Sequence, residues 1–191
     1  HSNRRADRWG GAVNSERFRF IDALLDAVIE AAEEAGRPDF IIGYRFSPEE
    51  FETPGITFDD TLYLIDRIAG KNIDYLHVSL NDYRRRSTHP NHRDSPILDI
   101  CHDTIAGRLA FIGVGGIRTP QDAAAVLRHA DLAAVGTALL LDPDWAGKVL
   151  SGNAAAIRTL TDIPEDRRPV RGDSLWEDVQ KLRADSVYDL V

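Results

Sequence analysis

The sequence contains no methionine, not even at position 1, where His1-Ser2-Asn3 stands instead. That opening is neither a translation start nor an obvious tag, so we expect a piece of a longer protein. Cysteine is nearly absent as well. Cys101 stands alone, so no intrachain disulfide can form, which fits a reducing compartment. No apolar run approaches the roughly 18 residues that a membrane span needs, and no signal-peptide pattern opens the chain. Basic residues are in deficit: 23 Lys and Arg face 31 Asp and Glu, for a net charge of -8. That balance argues against nucleic acid or an anionic membrane as a main partner. With 43% hydrophobic residues among 191, the composition suits a soluble globular domain and a cytoplasmic location.

What is present alternates. After a polar stretch from His1 to Gly11, the residues Ile21, Leu24, Leu25, Val28, Ile29 and Ala32 fall at helical spacing. Gly36 and Pro38 end that helix. Phe40 to Ser47 is a short apolar run that reads as a strand. Residues 48–57 form a loop. Thr57 then offers an N-cap with Asp59 and Asp60 in the first turn, and Leu62, Ile65, Ile68 and Ala69 line the helix. Ile73 to Leu80 reads as a second strand, Asn81 to Pro96 as a long polar loop, and Ile97 to Ala106 as a helix. The third strand is Leu109 to Val114. Thr119-Pro120-Gln121-Asp122 starts a helix that continues over Ala123 to His129. The fourth strand is Leu132 to Val135, and Asp142-Pro143-Asp144 opens a further helix. From Gly152 the chain is polar, although Trp176, Val179 and Leu182 stand at helical spacing. Repeated strand–helix alternation implies parallel strands joined by right-handed crossovers. The sequence therefore predicts an α/β protein, either half of an eight-stranded barrel or a small doubly wound sheet. The absent start favours the half-barrel.

Several positions are candidates for chemistry. Gly115-Gly116 and Gly136-Thr137 end the third and fourth strands. Backbone N–H groups at such ends can hold a phosphate, because glycine lets the chain approach an anion closely. The alternative is that they make tight turns only. Arg45 sits near the C-terminal end of an apolar strand, where a charge is costly without a partner. It either meets an anionic ligand or pairs with a buried acid. His77 alternates with Leu76 and Val78, and either points into a barrel or bonds to a core neighbour. His89, His92 and His102, with Asp94 and Cys101, lack any strict metal spacing, so no metal is expected. Arg84, Arg85 and Arg86 read as a solvated loop rather than a phosphate clamp. No Ser-His-Asp or Cys-His nucleophile pattern stands out.

These residues also carry a resemblance. His1 to Gly11 resembles the loop N-x-R-x-D-x-(Y/W)-G-G of the Old Yellow Enzyme family of NADH:flavin oxidoreductases. Arg17-Phe18-Arg19-Phe20 is similar to the opening of that family's next helix, and Ile42 to Pro48 to its fifth strand. Gly113 to Ile117 and Ala134 to Pro143 resemble the ends of its seventh and eighth strands. The similarity covers roughly residues 1–150.

The resemblance implies a TIM (β/α)8 barrel seen as its C-terminal half, strands five to eight, over residues 1–150, with residues 151–191 as a helical or irregular tail. It implies FMN as cofactor and NADH or NADPH as reductant. Arg45 matches the arginine beside the flavin ring, near N1 and O2. Gly115, Gly116, Gly136 and Thr137 match the residues whose N–H groups hold the FMN phosphate. The activity implied is of the ene-reductase type, with hydride passing from NAD(P)H through FMN to an enone-like small molecule.

The departures matter. Thr137 stands where the family has arginine, and Ser15-Glu16 where it has Glu-Asn. The catalytic residues, a substrate-binding His/Asn pair and a proton-donating Tyr, are expected upstream of His1. Cys101 alone and the short tail argue against an iron–sulfur cluster. A half-barrel leaves sheet edges and apolar surface exposed. We therefore expect a homo-oligomer or association with the missing N-terminal half. The competing reading is a non-catalytic half-barrel from a split or degraded gene that acts as an oligomerising module.

Overall fold

A computed structural model describes residues 7–11 and 13–159, so the Trp176, Val179 and Leu182 helix lies outside the described residues. The chain forms two compact units. One runs to Ile117 and resumes over Gln121–Ala134; the other takes Arg118–Pro120 and continues from Val135. Among the described residues, no helix is long and apolar enough to cross a membrane.

The first unit opens with two successive helices, α1 (Asn14–Arg17) and α2 (Arg19–Glu34). Of the expected apolar face, only Ile21 and Leu25 are buried. Leu24 and Val28 are exposed, so the stripe at helical spacing is wider than the surface that covers it. Strand β1 (Gly43–Phe46) follows, shorter than the run from Phe40 to Ser47. Phe40 and Ile41 are exposed. The Ile42 N–H donates instead to the Asp74 carboxylate, 2.7 Å away.

Helix α3 (Phe58–Ile68) begins as the sequence predicts. Thr57 Oγ1 accepts from the Asp60 N–H, and the Asp60 carboxylate accepts from the Thr57 N–H, which completes a capping box. Phe58, Leu64, Ile65 and Ile68 are its buried apolar residues, and Leu62 is only partly covered. Strand β2 is Tyr75–Val78, α4 is Ile97–Ile105, and β3 is Ala110–Val114. Helix α5 (Pro120–Val126) stops three residues short of His129. Strand β4 is Leu132–Ala134.

The strands form one sheet in the order β1-β2-β3-β4, and every pairing is parallel. One device recurs at its N-terminal edge. Asp74, just before β2, exchanges hydrogen bonds with the Ile42 backbone: it accepts from Ile42 N–H and its own N–H donates to Ile42 C=O. Asp131, just before β4, does the same with Phe111. Each aspartate thus extends a strand pairing with its side chain.

The sheet's two faces differ. Phe46, Leu76, Val78 and Phe111 lie on one face and are buried, and Leu64, Ile65, Ile97, Leu98 and Ile105 are among the other buried core residues. The other face carries Arg45, His77 and Ile112 in register, with Leu132 beyond them. His77 and Ile112 are half-buried, and Arg45 and Leu132 are exposed.

The second unit contains an element that the sequence reading missed. Helix α6 (Thr137–Leu141) starts directly after Gly136, and α7 (Trp145–Leu150) follows. The expected helix start at Asp142-Pro143-Asp144 is therefore a junction. The buried Asp142 carboxylate holds it, accepting from Lys148 Nζ at 2.6 Å and from the Arg158 N–H at 2.8 Å. Trp145 Nε1 donates to the Arg118 carbonyl at 2.8 Å.

Candidate functional site

Because the strands are parallel, their C-terminal ends share one edge of the sheet. The loops after β1, β2 and β3 converge there, and so do most of the candidate residues. This is the edge at which parallel α/β proteins place their ligands.

Arg45 is not buried and has no ion pair with an acid among the described residues, contrary to one of its two expected readings. Its Nη2 donates to Ser79 Oγ at 2.6 Å. The reason is positional: β1 is an edge strand, and the face on which Arg45 stands is the uncovered one. The guanidinium is thus held at one nitrogen and otherwise exposed.

His77 is its neighbour in register on β2. Its Nε2 is buried without a hydrogen-bond partner among the described groups. Burial first, and the positive charge of Arg45 second, push the pKa of His77 below the ordinary 6.5. The ring is therefore neutral at pH 7, and it stands on the open face of the sheet.

Gly115 has φ +122 and Gly116 has φ +63. A Cβ on Gly115 would lie 2.9 Å from the backbone of Asp82 and from the Leu80 carbonyl oxygen. Its own carbonyl accepts from the Tyr83 N–H at 3.1 Å. Part of the reason for this glycine is thus close packing of two loops. Gly136 differs. Among the described residues, nothing lies within 4 Å of the position its Cβ would take. It precedes α6, whose first residue is Thr137.

Each arginine of the triplet has a partner, while Arg84 and Arg86 stay exposed to solvent as expected. Arg84 makes a two-point contact with Asp82, Nε to Oδ1 at 3.0 Å and Nη2 to Oδ2 at 2.7 Å. That contact, ahead of opposing burial, lowers the Asp82 pKa. Arg85 pairs with Glu49 at 2.7 Å. Arg86 donates to the carbonyls of Arg93 and Asp94. Glu49 is itself buried and also accepts from Ser87 Oγ and the Thr88 N–H. It anchors the loop from below.

Apart from His77, the described histidines fall into two pairs. His102 stands edge-on to His129, their centroids 6.1 Å apart. His89 and His92 meet Asp59, a residue that the spacing of histidines alone does not pick out. Asp59 belongs to the first turn of α3, 30 residues before His89, and only the fold joins them. Cys101 is fully buried, and burial pushes its thiol pKa well up, so it serves as core.

The fold and this edge define a parallel α/β protein of the TIM-barrel kind. The comparisons give the family. Residues 1–155 match the NADH:flavin oxidoreductase / NADH oxidase family, and the chain belongs to it. Members of this family are oxidoreductases that use FMN and NADH. The chain is 38% identical over 99% of its length to an NADH:acrylate oxidoreductase of Vibrio harveyi, spanning 19% of that protein. It is 35% identical over 92% of its length to a probable NADH-dependent flavin oxidoreductase of Bacillus subtilis (strain 168), spanning 47% of that protein. It is 41% identical over 80% of its length to an NADH:fumarate oxidoreductase of Klebsiella pneumoniae (strain 342), spanning 17% of it. The chain thus spans less than half of each of these relatives. Among solved structures, histamine dehydrogenase from Rhizobium sp. 4-9 shares the fold. Its TM-score is 0.61 at 20% identity, covering 81% of this chain and 22% of that one.

Proposed function

We propose that this chain is the flavin-holding segment of an FMN-dependent, NAD(P)H-oxidising reductase of the ene-reductase type. In this reading β1 to β4 are strands five to eight of its barrel. The match of residues 1–155 to the family carries the reading.

The residues present fit FMN. Gly136 leaves open the volume that a side chain would fill, and Arg45 offers an exposed guanidinium at a strand end. We assign the backbone N–H groups of Gly115, Gly116, Gly136 and Thr137 to the phosphate. We assign Arg45 to the flavin ring, where a fixed positive charge favours the reduced, anionic form. Ser79 orients that guanidinium through the 2.6 Å bond. Thr137 keeps the N–H that the phosphate needs but supplies no charge, so the grip is weaker than one built with arginine. When bound, FMN supplies the hydride chemistry, from NADH or NADPH to an activated alkene.

The names of two relatives contain such alkenes, acrylate and fumarate. The chain spans under a fifth of each, so we propose the alkene class and no particular acid. The groups that touch the substrate and donate the proton belong, in this reading, to sequence preceding His1.

A second reading has one observation in its favour. The face bearing Arg45, His77 and Ile112 is uncovered, and Leu132 and Ile41 are exposed. A non-catalytic half-barrel that oligomerises through those surfaces would look the same. Intact mass and an absorbance spectrum of the purified material separate the two. Flavin bands together with a second polypeptide support the reductase. A colourless single species of 21.2 kDa that takes up no added FMN supports the module and overturns the flavin reading. Arg45→Ala should weaken FMN binding and lower the flavin potential. Unchanged values of both would remove its assigned role.

A further inference from the structure

We propose that Asp59, His89 and His92 form a binding site for one divalent transition-metal ion, with Zn²⁺ the ion that best suits its donors. The site is independent of the flavin reading. It sits where the start of α3 meets the loop between β2 and α4.

The geometry carries the proposal. Nε2 of His92 lies 2.6 Å from Asp59 Oδ1, and Nε2 of His89 lies 3.5 Å from Asp59 Oδ2. One donor atom from each of the three residues fits within a 4.8 Å span. One imidazole is enough to hydrogen-bond a carboxylate. Here two converge on the same one, their ring centroids 5.6 Å apart. Two imidazole nitrogens and a carboxylate oxygen are a donor set that Zn²⁺ takes in open, four-coordinate sites, at about 2.0–2.2 Å from each donor. Tetrahedral donors at that radius stand roughly 3.3 Å from one another. The His89–Asp59 separation of 3.5 Å already suits this. The His92–Asp59 hydrogen bond would be exchanged for bonds to the ion by a small turn of Asp59, whose side chain is exposed.

The donors are also held in place, as a metal site requires. The His92 ring stands edge-on to Phe58, 5.2 Å away at 90°, and Phe58 is fully buried. The His92 N–H donates to the His89 carbonyl across a short 3-10 turn, Pro90–His92. Thr88, next to His89, is tied by its N–H to the buried Glu49 and by its carbonyl to Arg93. His89 Nδ1 is buried without a hydrogen-bond partner among the described groups, so the ring's polar contacts lie on the Asp59 side. Three protein donors leave a fourth position for water. Bound there, the ion would fasten the β2–α4 loop to α3.

The test uses the full 191-residue chain without a histidine tag, stripped of metal by chelator. It is titrated with Zn²⁺ by calorimetry and with Co²⁺ by visible absorption. We expect one ion per chain, Co²⁺ bands of four-coordinate intensity, and a thermal midpoint that rises with Zn²⁺. His89→Gln, His92→Gln and Asp59→Asn should each weaken binding by about a hundredfold, at least the loss seen when supporting groups of metal sites are removed. His102→Gln with His129→Gln, the other histidine pair, should leave it unchanged. Circular dichroism and the midpoint in chelator show that each variant folds. Absence of stoichiometric uptake would overturn the proposal. So would equal affinity in the His89→Gln/His92→Gln double variant, or loss that follows His102 and His129 instead.

Discussion

The phenol ring of Tyr75 occupies the space that a side chain on Gly43 would need. The two residues are partners in the β1–β2 register, two positions before Arg45 and His77 on the same face. Gly43→Ala should therefore force Tyr75 out of place and cost about 1–3 kcal/mol, the usual range for overpacking. In a Tyr75→Ala background the same change should cost much less. A double-mutant cycle by urea denaturation reads that coupling directly.

Arg17 and Asp60 form a buried ion pair at 2.9 Å, with side chains 8% and 12% exposed. Asp60 also closes the capping box of α3. Burial alone would raise its pKa, but the Thr57 hydrogen bonds and the charge of Arg17 outweigh that and lower it below 3.8. Its contribution is thus complete above the unfolded value and is lost as pH falls through the lower folded value. Arg17→Met leaves the carboxylate without its counter-charge and should cost about 3 kcal/mol. Thr57→Ala, which removes one cap bond, should cost about 1 kcal/mol.

His77 should make stability depend on pH in the opposite chemical sense but the same direction. Its folded pKa lies below the ordinary 6.5, so between those values the unfolded chain binds more protons than the folded one. Stability is then unaffected by this group above 6.5 and declines as pH drops below it. His77→Leu should flatten that part of the curve. An unchanged slope in the variant would mean that the titration belongs elsewhere.

The glycines at the strand ends should separate by mutation. Gly115→Ala meets the Asp82 backbone at 2.9 Å in a left-handed conformation, and should destabilise the chain by about 2–3 kcal/mol with or without flavin. Gly136→Ala meets nothing among the described residues. It should change the unliganded stability by at most about 1 kcal/mol while weakening FMN binding. Equal FMN affinity in that variant would remove Gly136 from the phosphate site.

Much of this architecture was legible in the residues. Thr57 with Asp60 announces α3, and the alternation of apolar runs gives four parallel strands. Strand lengths were overread because apolar runs continue past the last ladder bond: Phe40 and Ile41 lie outside β1, where Asp74 takes over the pairing. Helix α6 was missed because Leu139, Leu140 and Leu141 follow a strand without a break in polarity. The loop from Asn81 to Pro96 is largely exposed as its charges suggest, but its anchoring was not legible. Its anchor, Glu49, lies 36 residues before Arg85, and no local pattern reveals that distance. The same holds for Asp59 and the two histidines.

That anchoring has a consequence for how the chain meets a protease. Three successive arginines in a long surface loop invite cleavage by an enzyme that must swallow the side chain before each cut. Here Arg84 is clasped by Asp82, Arg85 by Glu49, and Arg86 by two carbonyls. Arg85, held on the buried Glu49, is not on offer until the loop lifts off that carboxylate. Trypsin should then cut after Arg85 only when the loop opens, and the rate of that cut becomes a clock for the opening.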